Sequence, residues 1–414
     1  MNRIRRAGQQ TFRSLETPNY RKYLVGQMVS ASGTWVQQTA LTWLVVRMTH
    51  GNGLAVGTVV ALQFFPVMLG GAWAGVLADR LDKRRLLVAT SAGAAICAAI
   101  MGALVLTGSI ELWMVYALAA SFGVATALDS PARRAFVTEL VPDHHAANAV
   151  SLNSSVFTAA RVIGPAVAAV LIATAGIGWC FVANALSFIA VIAALMKMDL
   201  YAINRVAAVV RQRGQLVDGL RYVWGHQALR TTLLLTAIIG TLSFNFQVTV
   251  SLMARTAFHG GASTFATLLA LMSVGAVVAS LYVAHRERVT TRFVIVAALT
   301  LGVTMMIAAA TPSIVVFAIV LVPMGASSIG FLSAAGALAQ SRAEPAYRGR
   351  VAALFAVAFL GSTPIGAPII GAVSQIFGPR SGLVVGGVTA LVAGGLALRG
   401  LNQRVAARPR AASI

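Results

Sequence analysis

Apolar runs of about 20 residues follow one another along this whole 414-residue chain. Hydrophobic residues make up 58% of the sequence and charged residues 10%, and the mean hydropathy is +0.81. Soluble proteins carry about a quarter charged residues, whereas roughly 20 apolar residues in a helix cross the hydrocarbon core of a bilayer. The sequence therefore predicts a protein whose solvent is lipid.

Charged residues, glycines and prolines divide the apolar runs into twelve predicted membrane-spanning helices. They lie near residues 21–46, 54–77, 86–107, 112–129, 150–174, 178–197, 229–255, 263–284, 292–311, 314–338, 351–376 and 381–399. The predicted fold class is an all-α membrane protein of two pseudo-symmetric six-helix halves.

The predicted domains follow from the longest polar segment, which separates helix six from helix seven. They are a basic N-terminus (1–20), a first half (21–197), a linker (198–228), a second half (229–400) and a basic tail (401–414).

Basic residues lie almost entirely on one side of this topology. Of the 32 Lys and Arg residues, 28 fall in alternate loops and at the two termini, and three fall in the remaining loops. Because cations collect in short cytoplasmic loops, both termini are predicted to be cytoplasmic. The same bias accounts for the net charge of +21 without a nucleic-acid partner.

The fifth and eleventh helices share a glycine pattern. Gly164 and Gly176 correspond to Gly366 and Gly378 at an offset of 202 residues. Each helix also has proline beside the pattern: Pro165 in the fifth, and Pro364 and Pro368 in the eleventh. Proline bends a helix and glycine lets helices approach closely, so these residues form a predicted helix-bend motif within an internal repeat.

The most charged short stretch is GVLADRLDKRR, residues 75–85, in the turn between helices two and three. It resembles the loop signature G-x-L-a-D-R-x-G-R-K/R of the major facilitator superfamily. The matching positions are Gly75, Leu77, Asp79, Arg80, Lys83 and Arg84. Asp82 stands where that superfamily usually has glycine.

Further stretches are similar to the transmembrane secretion effector branch of that superfamily, which includes enterobactin-exporter-like and drug-efflux-like transporters. They include DSPARRAFVTELV, NAVSLNSSVFTAARVIGPA and RGRVAALFAVAFLGSTPIGA. The resemblance extends over nearly the whole chain and implies alternating-access transport. RVIGPAV also resembles the Gly-Pro motif of antiporters, but helix four lacks the arginine of many antiporters, so coupling to a proton or ion gradient stays open.

The charged turn is interpreted as a conformational latch, made by Gly75, Asp79, Arg80, Lys83 and Arg84 together with Asp129. In this interpretation Asp79 meets the positive N-terminal end of a neighbouring helix, and Lys83 reaches Asp129 at the inner end of helix four. The alternative is that these charges only end the helix and orient the chain.

Polar residues at helical spacing mark candidate cavity-lining faces of helices one, five and seven. The candidate substrate-cavity residues are Gln27, Thr34, Gln38, Ser154, Thr158, Arg161, Asn245 and Gln247. Each hydroxyl among them could instead bond its own helix backbone.

Arg161 is the most constraining of these residues. It lies about 16 Å along the fifth helix from Val150, at 1.5 Å per residue. A guanidinium at such depth costs roughly 2.5–3.5 kcal/mol, so it must face a wet cavity or a partner. Contact with substrate and a structural role with carbonyls or Asp129 both fit.

No catalytic, phosphate-binding or metal-binding motif is present in the sequence, which predicts neither an enzyme nor a resident cofactor. We expect a secondary exporter of an amphipathic small molecule, such as a siderophore, an acidic metabolite or a drug. It would act as a monomer in the lipid bilayer of the bacterial inner membrane. An importer or a lysophospholipid flippase of the same fold, or a membrane sensor or scaffold, are the alternatives.

Overall fold

The computed structural model describes residues 13–204, 215–286 and 289–406, except for the side chains of a few residues within helices. The described chain is almost entirely helical. In chain order the helices are α1 (Pro18–Met48), α2 (Gly53–Arg80), α3 (Lys83–Leu106), α4 (Leu112–Glu139), α5 (Asp143–Thr174), α6 (Ile177–Met196), α7 (Gln215–Gly225), α8 (Gln227–Leu242), α9 (Phe246–Leu252), α10 (Ala262–His285), α11 (Thr291–Ala310), α12 (Ile314–Arg342), α13 (Arg348–Leu360), α14 (Thr363–Phe377) and α15 (Ser381–Ala406).

Eleven helical segments of the described chain are long and apolar enough to cross a membrane. Helix α1 is a twelfth of sufficient length, with 31 residues, and the polar side chains along it lower its hydropathy. Each predicted span therefore coincides with one helix or with a broken pair, which confirms the predicted fold class.

Two predicted spans are broken. The chain leaves the helix at Ser243–Asn245, between α8 and α9, and again at Gly361–Ser362, between α13 and α14. Pro364 falls in the first turn of α14, where the N–H that proline lacks would have no helical partner.

Helix α4 is longer than predicted. It continues from Asp129 to Glu139, although residues 133 and 134 are arginines that the hydropathy pattern places in a loop. Its last turns are buried, with Phe136 and Leu140 each 1% exposed. The helix is stabilised there by packing that hydropathy does not register.

The described residues form two compact units. The first contains the chain up to Met48, residues 62–204 and Ala262–Ala270. The second contains Thr49–Ala61, residues 215–261 and residues 271–406. The predicted division of the chain into domains stays a prediction.

The core of the first unit gathers the ends of α1, α3, α4 and α6 around Tyr20, Tyr23, Phe136, Phe188 and Leu195. The Tyr20 hydroxyl donates to the carbonyl of Ala149 at 2.7 Å. Helix ends that are joined in this way hold the charged turn before α3 in a defined position.

In the second unit, helix α7 packs on the segment that leads into α13. The rings of Tyr222 and Tyr347 stack with centroids 4.0 Å apart. The hydroxyl of Tyr222 accepts a hydrogen bond from the backbone N–H of Glu344 at 3.1 Å. This part of the predicted linker is therefore a docked helix.

The glycine repeat has structural counterparts in the two units. Gly176 and Gly378 both adopt positive φ, at 95° and 91°, which glycine tolerates without strain. A Cβ on Gly164 would collide with Trp35 of α1, and one on Gly366 with the carbonyl oxygen of Thr241 of α8. Each unit thus contains a close helix crossing at a repeat-related glycine.

Candidate functional site

Arg161 lies near the middle of α5, a helix of 32 residues. Its guanidinium carbon is 4.9 Å from the centroid of the Trp35 ring of α1. Within the described part of the chain it has neither a carboxylate nor a hydrogen-bond acceptor as partner. Its five N–H donors are therefore available to a ligand, while the indole face stabilises the charge.

The contact with Trp35 depends on Gly164, one turn further along α5. Because a Cβ at Gly164 would collide with the Cβ of Trp35, only glycine lets α1 approach this closely. Pro165 follows inside a continuous helix. The sequence-predicted motif therefore positions the aromatic face beside Arg161.

The hydroxyl groups of the predicted cavity stripes bond their own helices. Thr34 donates to Ser30, Ser154 to Val150 and Thr158 to Ser154, each through the carbonyl four residues earlier at 2.9–3.0 Å. These three hydroxyls therefore bond their own helix backbone, which is the alternative to lining a cavity. Each hydroxyl oxygen can still accept a hydrogen bond from a ligand. Gln38 has a partner of its own.

Gln27 is buried in the first unit at 1% exposure. Neither its amide nitrogen nor its amide oxygen has a hydrogen-bond partner among the described residues. A buried amide without partners is costly, so this side chain marks a place where water or a ligand group would be stabilised.

Asn245 lies in the break between α8 and α9 rather than on a continuous helical face. Its Nδ2 donates to the carbonyl of Thr241 at 2.7 Å, and this bond satisfies a carbonyl that the end of α8 leaves open. Its Oδ1 is buried without a described partner. Gln247 has a partner.

Phenylalanine rings surround this break in the second unit. Phe244 packs edge-on against Phe359 at 5.1 Å and lies 5.4 Å from Phe246 and 6.4 Å from Phe331. An unpaired amide oxygen among aromatic faces is suited to an amphipathic molecule with a hydrogen-bond donor. The hydropathy pattern did not predict this break or the one at Gly361–Ser362. The stretches TLSFNFQ and LGSTPIGAP nevertheless interrupt the apolar pattern there with Ser, Asn, Gly and Pro.

The predicted latch pairs differently from expectation. Lys83 Nζ lies 2.8 Å from Glu139 Oε1, and the two side chains are 14% and 7% exposed. Lys83 was expected to reach Asp129, but α4 continues for ten residues beyond Asp129. That extension brings Glu139 to the charged turn instead.

Asp129 has other partners within the first unit. It forms an ion pair with Arg133, one turn along the same helix, and accepts a hydrogen bond from the Thr90 hydroxyl of α3 at 3.1 Å. The Arg133 guanidinium also lies over the Phe157 ring at 5.5 Å. Asp129 therefore joins α3, α4 and α5 and is not a partner of Lys83.

Two other positions of the charged turn act as helix caps. Arg84 donates to the carbonyls of Leu195 and Met196 at 2.6 and 3.3 Å, where a cation complements the C-terminal end of α6. Asp82 is the N-cap of α3 and accepts from the Arg85 N–H at 2.9 Å. Asp82, which stands where the superfamily usually has glycine, thus supplies a side-chain cap for α3.

The remaining predicted latch and bend residues take varied positions. Gly75 is buried and Arg80 is exposed, while the side chain of Asp79 lies outside the described residues. Gly366 forms the close crossing with α8. Pro368 lies inside α14.

Comparison with known proteins agrees with this architecture. The family described as "Transmembrane secretion effector" matches residues 9–410. The staphyloferrin A transporter of Staphylococcus aureus is 26% identical over 251 residues, which cover 60% of this chain and 62% of that protein. The alignment thus spans less than two thirds of that relative's length.

Two further similarities extend over most of the chain. The multidrug efflux pump Tap of Mycobacterium tuberculosis is 25% identical, over 86% of this chain and 87% of the pump. A bacterial homologue of the human lysosomal transporter Spinster, solved in an inward-facing and unoccupied conformation, superposes with a TM-score of 0.74 at 14% identity. That alignment covers 95% of this chain and 99% of the solved one, and it shows the shared fold.

The family match, the helices that could cross a membrane and the superposition agree with one another. The chain belongs to the transmembrane secretion effector family of the major facilitator superfamily, and it is a multi-pass membrane protein.

Proposed function

We propose that this protein exports amphipathic small molecules that carry an anionic or strongly hydrogen-bonding group. The observation that carries the proposal is Arg161, which lies in mid-helix against the Trp35 ring with no described carboxylate beside it. In a medium of low dielectric constant an uncompensated cation attracts anions and repels cations strongly. Carboxylate, catecholate and phosphate groups also match the planar fork of a guanidinium.

The rest of the cargo would be apolar, and the Trp35 ring beside Arg161 offers aromatic surface in the same unit. Taken by itself, the second unit also has aromatic surface, since phenylalanine rings lie around Asn245, whose Oδ1 is buried without a described partner. A siderophore or an acidic metabolite combines such features. The efflux pump Tap among the relatives supports the outward direction.

We further propose that the transporter lies in the bacterial cytoplasmic membrane with both termini inside and works as a monomer. The distribution of Lys and Arg supports this orientation. Because the sequence has no nucleotide-binding loop, an ion gradient is the proposed energy source.

The test is binding of matched anionic and cationic amphiphiles of equal size to the purified protein, followed by transport in proteoliposomes. The wild type should prefer the anionic series. Arg161→Lys keeps the charge without the fork and should bind anions more weakly. Arg161→Gln should bind them about tenfold to a hundredfold more weakly, the equivalent of one lost charge-assisted hydrogen bond, with a relative gain for neutral and cationic compounds.

Arg134→Gln is the matched control, because Arg134 is an exposed arginine of the same unit. It should leave the anion preference unchanged. If the wild type prefers cations and Arg161→Gln binds both series as the wild type does, Arg161 has only a structural role. Uptake into cells without efflux would replace export by import.

A further inference from the structure

A cavity of about 340 Å³ lies between α10 and α12 in the second unit, apart from the residues of the proposed substrate site. Its wall consists of serine, alanine and valine side chains and one arginine. The lining includes Ser280, Ala284, Arg286, Ser333, Ala337 and Ser341.

The cavity arises from the way in which these two helices cross. A Cβ on Gly275 would collide with the carbonyl of Val322, and one on Gly325 with the carbonyl of Met272. The two backbones therefore touch at that level. Further along, a Cβ on Gly330 would lie 3.6 Å from Ala279, an ordinary contact. Beyond Gly330 the two helices separate, and the small side chains there leave a space between them.

Two of the lining hydroxyls have no hydrogen bond within the described chain. They are the hydroxyls of Ser280 and Ser333, and both residues are half-buried. Other hydroxyls of the same unit, such as those of Thr300 and Ser328, instead donate to carbonyls of their own helices. The hydroxyls of Ser280 and Ser333 line the cavity as free donors.

Arg286 lines this cavity and is an exposed residue in contact with two aromatic rings. Its guanidinium donates to the Tyr282 hydroxyl and lies 4.9 Å from the Tyr282 ring and 4.4 Å from the Phe293 ring. Both ion pairs of the described residues lie elsewhere. Aromatic faces hold the cation without neutralising it, so donors remain for an external anion.

We propose that this cavity binds a phosphate group, with Arg286 as the charged ligand and the hydroxyls of Ser280 and Ser333 as further donors. Arginine and hydroxyl donors together match the oxygens of a phosphate. The group can come from the headgroup of an anionic phospholipid or from free phosphate in water. Arg286 directly follows the end of α10 that is on the proposed cytoplasmic side, where both sources are present.

The test compares both sources with the full-length protein. Native mass spectrometry counts phosphatidylglycerol and phosphatidylcholine molecules retained by protein released from mixed nanodiscs. Calorimetric titration with inorganic phosphate in detergent, without added lipid, measures the second source. Wild type should retain phosphatidylglycerol over phosphatidylcholine, or bind phosphate in the titration.

Arg286→Gln should weaken that binding about tenfold, the loss of one charge-assisted contact, and Ser280→Ala with Ser333→Ala should weaken it several-fold. Arg292→Gln is the matched control, since Arg292 is exposed nearby and does not line the cavity. It should bind as the wild type does.

A selective lipid supports a headgroup site, and phosphate binding without lipid preference supports a site supplied from water. Binding that is equal in wild type and Arg286→Gln overturns the proposal. So does an equal loss in Arg286→Gln and Arg292→Gln, which would indicate general surface charge. The spectra and titrations do not depend on transport, so they separate this site from the export proposal.

Discussion

Lys83 Nζ and Glu139 Oε1 lie 2.8 Å apart, and this ion pair joins the charged turn before α3 to the end of α4. Both side chains are largely shielded from water, so removal of one charge leaves the other poorly compensated. Arg84 anchors the same turn to the end of α6. The turn is thus attached to two neighbouring helices.

We expect Lys83→Met and Glu139→Gln each to slow transport and to lower the thermal stability of the purified protein. The reversed pair Lys83→Glu with Glu139→Lys should recover part of both. Proteoliposome transport and thermal unfolding of the wild type, the two single variants and the double variant Lys83→Met with Glu139→Gln complete the cycle, with a coupling free energy of about 1–3 kcal/mol expected for neighbours in contact. Purely additive effects would show that the pair does not act as a unit.

Trp35→Leu should reduce the affinity for anionic amphiphiles by up to about 30-fold, because the ring that positions Arg161 is lost and a desolvated cation–π contact contributes about 2 kcal/mol. Trp35→Phe retains an aromatic face and should lose less. Binding measured by calorimetry checks the order of the three proteins, and equal loss in both variants would leave the aromatic face without a role.

Gly366→Ala should destabilise the second unit strongly, because the new Cβ collides with the Thr241 carbonyl. Overpacking of this kind costs roughly 1–3 kcal/mol or more. Gly395→Ala is the matched control within α15, since a Cβ there meets nothing within 4 Å. Thermal unfolding should separate the two, and similar curves would contradict the close crossing.

Asn245→Ala should lower both transport and stability, because it leaves the Thr241 carbonyl without its donor. The cost of such an unpaired buried group is about 1–3 kcal/mol. Ser251→Ala is the control, since that hydroxyl only bonds back to Val248 in the same segment. If the two variants transport equally well, the break at Asn245 has no part in the transport cycle.

Reporter fusions after Arg213 and at Ala412 should both report a cytoplasmic location, because the basic residues collect on that side. An alkaline phosphatase and a fluorescent protein at each point give opposite readouts. A periplasmic signal at either position would contradict the proposed topology and move the phosphate site to the other face.

The sequence by itself predicted which segments form the long apolar helices and which loops face inward. Both properties depend on local composition, since about 20 apolar residues span the bilayer whatever they contact. The resemblances carried by GVLADRLDKRR for the superfamily, and by stretches such as NAVSLNSSVFTAARVIGPA for the branch, likewise identified the family that the match over residues 9–410 confirms. The glycines repeated at an offset of 202 residues foretold close helix crossings in both units.

Only the tertiary structure decided which groups meet. Lys83 pairs with Glu139 rather than Asp129 because buried packing extends α4 past two arginines. Arg161 finds an indole face rather than a carboxylate because Gly164 admits α1. At the helix breaks, Asn245 and Ser362 bond carbonyls three or four residues earlier in their own segments. The contacts of Lys83 and Arg161, in contrast, join residues distant in the chain, and hydropathy reports only the solvent that each segment prefers.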